Sequence, residues 1–186
     1  MIDLRHPLPT CIEVGGVLYE LDTDFRTWIE FTRAVEEDGV APYSVFKADA
    51  PEGTEWVEAA AEFARSENDT PHGGGGDGAR TLDLIRDGDY IVGAFWQAYG
   101  IDLTTARLHW HVFLALLRSL PEGCKLTEIM GYRAFRESDL GKDAKRQYGE
   151  LRRRWTLPPK RDAAILDWQE RAFGNIAVPQ AGDATE

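Results

Sequence analysis

Residues 11–21 read CIEVGGVLYEL, in which Ile12 and Val14 before Gly15-Gly16, and Val17, Tyr19 and Leu21 after it, alternate with other positions. A period of two marks a strand with one buried face, and a glycine pair accepts the positive φ angles of a two-residue turn. The pattern predicts a β-hairpin over 11–21. Two strands alone are marginal in water, so the hairpin must lie on helices or on another chain.

From residue 22 the period changes. TDFRTWIEFTRAVEEDG puts Phe25, Trp28, Ile29, Thr32 and Val35 on one helical face, with Asp22 or Thr23 as N-cap and Gly39 as the stop. EGTEWVEAAAEFARSE does the same with Trp56, Val57, Ala60, Phe63 and Ala64, so 23–65 reads as helical. The polar, glycine-rich stretch 66–80, containing NDTPHGGGGDGAR, reads as a flexible loop rather than a domain boundary, because neither flank carries a self-sufficient core.

Helical spacing returns over 81–157. Leu84, Gly88, Ile91, Phe95 and Ala98 make one stripe, Gly100 sits where a helix takes a left-handed residue, and Ile101 can fold back onto Trp96 or Phe95. Asp102 or Thr104 is expected to cap a helix running to about Ser119, giving a helical hairpin. TEIMGYRAF adds a short helix capped by Thr127. KDAKRQYGELRRRW adds a longer one with Ala144, Tyr148, Leu151 and Trp155 aligned, ended by Pro158-Pro159. A C-terminal amphipathic helix is expected over 162–173, with Ile165, Trp168 and Ala172 on its apolar side, followed by a frayed tail over 175–186. The expected fold is mainly α: one compact helical domain, 1–186, with a small N-terminal β-hairpin and a flexible Gly-rich loop.

Composition narrows the function. The chain of 186 residues holds 32 Asp and Glu against 21 Lys and Arg, a net charge of −11. That excess favours solubility and disfavours anionic membranes and nucleic acid. The charge is also polarised. Residues 1–80 hold 17 acidic and 6 basic side chains, 81–186 hold 15 of each, and 142–161 has eight Lys or Arg against Asp143 and Glu150. Cys11 and Cys124 are too few and too far apart for a disulfide framework. With no apolar run near ~20 residues and no signal-peptide pattern, the expectation is a soluble protein that stays in the cytoplasm.

Candidate chemistry is thin. His109 and His111 flank Trp110 in LHWHV, and two positions apart on a helix point to opposite sides, whereas paired helical ligands stand three or four apart. The reading is packing: His109 half-buried at the edge of the apolar stripe, His111 solvated. GGGGDG at 73–78 fits a dinucleotide fingerprint only formally, since no strand precedes it. Asp87 and Asp89 lack the ligand series of a calcium loop and read as helix-capping groups. Arg152-Arg153-Arg154 beside Trp155 could contact phosphate, although charge runs are more often solvated faces. No catalytic, cofactor or metal residue is assigned, and no enzyme is expected.

One resemblance stands out. DGDYIVGAFWQAYGIDL, LHWHVFLALLRSLP and KLTEIMGYR resemble the bacteriophage "gene product fifteen" family. Asp87, Tyr90, Ile91, Ala94, Phe95, Tyr99, Gly100, Ile101, Asp102, Leu103, His109, Trp110, Phe113, Leu116, Leu117, Ile129 and Arg133 follow its pattern in order, and the hairpin with TDFRTWI is also similar to it. His111 departs from the pattern, which often has an aromatic there. The resemblance covers 87–133 and 11–31. It implies a non-enzymatic helper in tail morphogenesis, a tail assembly chaperone that binds the tape-measure protein or other tail proteins, alone or as a homo-oligomer. Ile165, Trp168 and Ala172 are the candidate partner-binding residues, on a helix that docks either on its own chain or on another. The alternatives are a structural virion component of the neck or tail, and a helical nucleic-acid-binding protein working through 142–161.

Overall fold

The computed structural model describes residues 2, 4–65, 80–134 and 142–158, with the backbone alone for 142–145. Among them are one two-stranded antiparallel sheet and six α-helices, so the fold is mainly α with a small N-terminal hairpin, as the residue periods predict. The chain divides into two compact units. One comprises the described residues of 1–69 and of 107–114, and the other those of 70–106 and 115–158.

In the first unit, β1 (Cys11–Val14) pairs with β2 (Val17–Glu20) in the register Ile12 opposite Tyr19 and Val14 opposite Val17. Gly15 and Gly16, at φ 59° and 81°, make the turn, a conformation that a side chain would strain. The hairpin does lie on a helix: β1 packs against α2 and buries Ile12. Beyond β2, Leu21 bridges to Phe46, and the Asp22 N–H donates to the Val45 carbonyl at 2.8 Å.

Helix α1 (Phe25–Arg33) begins one or two residues later than a cap at Thr23 or Asp22 implies. Asp24 is the cap, its carboxylate accepting the Arg26 N–H at 3.0 Å, while Asp22 accepts the Asp24 N–H and the Thr27 hydroxyl. The helix widens into a π turn over Ala34–Asp38 and stops at Gly39, φ 69°. Phe25, Trp28, Phe31, Ala34 and Val35 are buried, whereas Ile29 and Thr32 are half-buried. After a 3₁₀ turn at Tyr43–Val45, α2 (Trp56–Ala64) buries Trp56, Val57, Ala60, Ala61 and Phe63. The core is aromatic. Trp28 lies 4.3 Å from Phe63, Trp56 lies 5.0 Å from Tyr43 and 5.2 Å from Phe46, and Phe25 stacks on Phe113 at 4.7 Å. A buried indole needs an acceptor for its one N–H. Trp28 donates to the Asp22 carbonyl, Trp56 to that of Gly53, and Trp110 to that of Ala64.

In the second unit, α3 (Gly88–Tyr99) buries Ile91, Ala94 and Phe95, with Leu84 in the turn before it. Its end is the one the glycine predicts. Gly100 is left-handed at φ 66°, its N–H donates to the Trp96 carbonyl, and the Ile101 N–H reaches back to that of Phe95. The next helix departs from expectation. Asp102 organises a single turn by accepting the Thr104 N–H and hydroxyl, and the chain then runs non-helically to α4 (Trp110–Arg118). Helix α5 (Lys125–Ala134) starts after Cys124, whose carbonyl accepts the Glu128 N–H. Thr127 is therefore inside the first turn, not its cap. Helix α5 touches both α3 and α6 (Lys142–Trp155) and buries Leu126, Ile129 and Arg133.

Candidate functional site

The polar centre of the second unit is the pair Asp87–Arg133. Two parallel N–H···O bonds join the Arg133 guanidinium to the Asp87 carboxylate at 2.6 and 2.8 Å, and both side chains are buried. The same guanidinium donates through Nε to the Trp155 carbonyl at 2.7 Å and through a terminal nitrogen to that of Thr81 at 3.0 Å. Asp87 also accepts the Asp83 N–H at 2.9 Å. A buried charge is tolerated only when paired and fully hydrogen-bonded, and here both partners are. Asp87 stands directly before α3 but its side chain makes no capping bond, so the capping role expected of it is corrected. Together the pair fastens the start of α3, the last turn of α5 and the last turn of α6 around one cation.

The histidine pair is also different from the sequence reading. The strand-like bridge between Asp24 and His109, with Phe25 N–H to Leu108 carbonyl and Trp110 N–H to Thr23 carbonyl, keeps residues 106–109 out of the helix. His109 is therefore the cap of α4. Its carbonyl accepts the Phe113 N–H, and its Nδ1 lies 3.1 Å from the His111 backbone nitrogen. That nitrogen is a donor, so Nδ1 accepts and Nε2 carries the proton, which it donates to the Pro9 carbonyl at 2.9 Å. His111 is half-buried rather than solvated. It donates Nε2–H to the Phe63 carbonyl at 2.8 Å, with its ring 4.7 Å from that of Phe63. The opposite-sides argument fails because only one of the two lies within the helix, and the rings are 5.2 Å apart. Both imidazoles spend Nε2 on backbone carbonyls. Among the described residues no group of three or more His, Cys, Asp and Glu is placed to hold a metal.

The second unit also exposes two large apolar side chains around α3. Trp96 is 61% exposed and Ile85, in the turn before α3, is 53% exposed. Trp96 has Gly93 three residues before it and Gly100 four residues after it, the positions that neighbour a helical side chain on either side. A Cβ built on either glycine meets nothing within 4 Å. The largely exposed indole sits on a helix anchored at one end by Asp87–Arg133 and closed at the other by Gly100. Near that end the Tyr99 hydroxyl donates to the Leu116 carbonyl at 2.8 Å, and burial, with a smaller contribution from Cys124, pushes the phenol above its ordinary pKa. Hydrogen bonds from Thr104 hold the Asp102 carboxyl below the usual range.

The expected partner-binding residues Ile165, Trp168 and Ala172 lie outside the described residues, as do the loop 66–79, the helix 162–173 and the tail 175–186. The signal for Trp96 was present but unused: an indole flanked by two glycines at helical spacing, with the buried stripe of Ile91 and Phe95 on the other side of the helix.

A mainly α protein with an exposed tryptophan on α3 is the class these features define. The chain belongs to the bacteriophage Gp15 protein family, whose model matches residues 36–157. The match takes in α2 to α6 and with them Asp87, Trp96, His109 and Arg133, while the N-terminal hairpin precedes it. Nothing matches among curated proteins or among solved structures.

Proposed function

We propose that this phage protein is a non-enzymatic helper of tail morphogenesis, a tail assembly chaperone that binds the tape-measure protein before the tail tube encloses it. The observation that carries the reading is the exposed Trp96 on a rigidly held helix within the family-matched region. Exposed apolar side chains mark a docking site where they join into one patch, and Trp96 with Ile85 just before α3 would supply its anchors. A long helical client presents apolar stripes that would otherwise associate with one another, and an amphipathic helix is bound through a few large anchors laid into a complementary groove. Gly93 and Gly100, the helical neighbours of Trp96, add no side chain that would keep such a helix away from the indole.

The reading is tested by co-expressing the phage's tape-measure protein with this chain and measuring the soluble fraction and co-purification. The wild-type chain should keep the client soluble and travel with it, and Trp96→Ser should lose both while remaining folded. A client that is equally soluble with and without this chain overturns the reading. So does detection of the protein at stoichiometric amounts in purified particles by mass spectrometry, which would make it a structural component of the neck or tail.

A further inference from the structure

The charge asymmetry of the sequence acquires an address in the structure. Helix α6 carries Arg152, Arg153 and Arg154 in its last turn, and none of them meets a carboxylate among the described residues. Among the described residues Arg153 donates to the Gly149 carbonyl at 3.3 Å, and Arg154 lies 5.6 Å from the Trp155 ring. The one acidic side chain described on this helix, Glu150, is 3.8 Å from Arg146 and not from the arginine run.

Helix α2 carries the opposite face. Glu55, just before it, with Glu58 and Glu62 stands on one side, at helical spacings of three and four. All three are exposed and have no cationic partner among the described residues. By contrast Glu30, Glu37 and Asp38 on the neighbouring α1 and its π turn are all engaged by Arg33. An isolated row of like charges repels itself, and a row of opposite sign relieves it.

We propose that these two charged patches meet in trans: the long arginine side chains that fan around the last turn of α6 on one copy grip the row of α2 glutamates of a second copy, head to tail. The contact uses different patches on the two copies, so it is heterologous, and successive copies close into a ring or extend as a chain. Arg suits this contact better than Lys, because its planar fork grips a carboxylate with two bonds. The proposal stands or falls independently of the tail-assembly reading, since it needs no phage partner.

The experiment is light scattering on the purified full chain and on two triple variants, Arg152→Glu/Arg153→Glu/Arg154→Glu and Glu55→Lys/Glu58→Lys/Glu62→Lys. All the substituted glutamates are exposed, and circular dichroism on each variant checks that the helices are retained. The wild-type mass should be at least twice the 20.9 kDa of one chain at low salt. It should fall toward that value at roughly 0.5 M salt, where the screening length is only a few ångströms. Each variant alone should run as a single chain, and an equimolar mixture of the two should regain the wild-type mass, because α6 of each then faces an α2 of opposite sign. A wild-type chain that is monomeric at low salt, a variant that keeps the wild-type mass, or a mixture that stays monomeric overturns the proposal. So does rescue only when both sets of reversals share one chain, which would make the contact intramolecular, and so does an α6 that binds mixed-sequence DNA while the mass stays that of one chain.

Discussion

Arg133, on α5, binds the Asp87 carboxylate with two hydrogen bonds and the last carbonyl of α6, at Trp155, with a third. A single guanidinium thus neutralises a buried anion and satisfies one of the four carbonyls that a helix C-terminus leaves without an intrahelical donor. Removing it should be expensive. Arg133→Met strands Asp87 as a buried anion and takes the donor from Trp155 and Thr81, at a cost of about 3–5 kcal/mol. Adding Asp87→Asn, which removes the stranded charge, should recover part of the loss. Urea unfolding of the wild type, the single variant and the double variant checks both steps. A loss under about 1 kcal/mol in Arg133→Met would mean the pair is incidental.

His109 should behave as a helix cap and not as a ligand. His109→Ala removes the acceptor for the His111 N–H and should cost about 1 kcal/mol, with His109→Asn, a residue favoured at caps, recovering much of it. His111→Ala should also cost about 1 kcal/mol, because it leaves the Phe63 carbonyl without its donor and removes a ring packed against Phe63. Sequence position alone puts His111 in solvent and assigns it no cost. Thermal melts of the three variants separate the two expectations, and an unchanged melting temperature for His111→Ala would restore the solvated reading.

Asp102 sets a pH dependence. Thr104 lowers its pKa in the folded chain, so the folded state binds the proton less readily than the unfolded one. Its contribution is complete above the ordinary carboxylate range, and it is lost as pH falls through that range and then through the lowered folded value. Asp102→Asn keeps an acceptor for the turn but cannot titrate. The stability gap between wild type and Asp102→Asn should be constant near neutrality and shrink below about pH 4. A gap that does not change with pH would show that the carboxylate charge is irrelevant to the turn.

The elements that could be read from the sequence are those written in local periods and special residues. The hairpin at Gly15-Gly16, the apolar face of α1, and the stop at Gly100 each depend on neighbours within one or two turns. What was not legible depends on partners far along the chain. Residues 106–109 have helical spacing, yet the backbone bonds of Phe25 and Trp110 to Leu108 and Thr23 pull them into a bridge, and that changed the meaning of the two histidines. Asp87 and Arg133 were both visible as family positions, but nothing local says that an acid before one helix faces a base on another. Trp96 was read only as a place for Ile101 to fold back, although its spacing from Ile91 and Phe95 places it off the buried stripe.

Trp96 gives the sharpest contrast with the other indoles. Trp28 is fully buried, hydrogen-bonded to the Asp22 carbonyl and packed on Phe31 and Phe63, so Trp28→Ala should cost about 3–5 kcal/mol. Trp96→Ser removes an exposed ring and should stay within about 0.5 kcal/mol of the wild type. Gly93→Gln should also be tolerated, because the added side chain starts in open space and a glycine inside a helix is itself unfavourable by up to about 1 kcal/mol. Yet that glutamine would project beside the indole and occupy the space a docking helix needs. Gly93→Gln should therefore melt at or above the wild-type temperature and still fail to retain the tape-measure protein in co-purification. Retention at the wild-type level by a folded Gly93→Gln chain would remove this face of α3 as the docking surface.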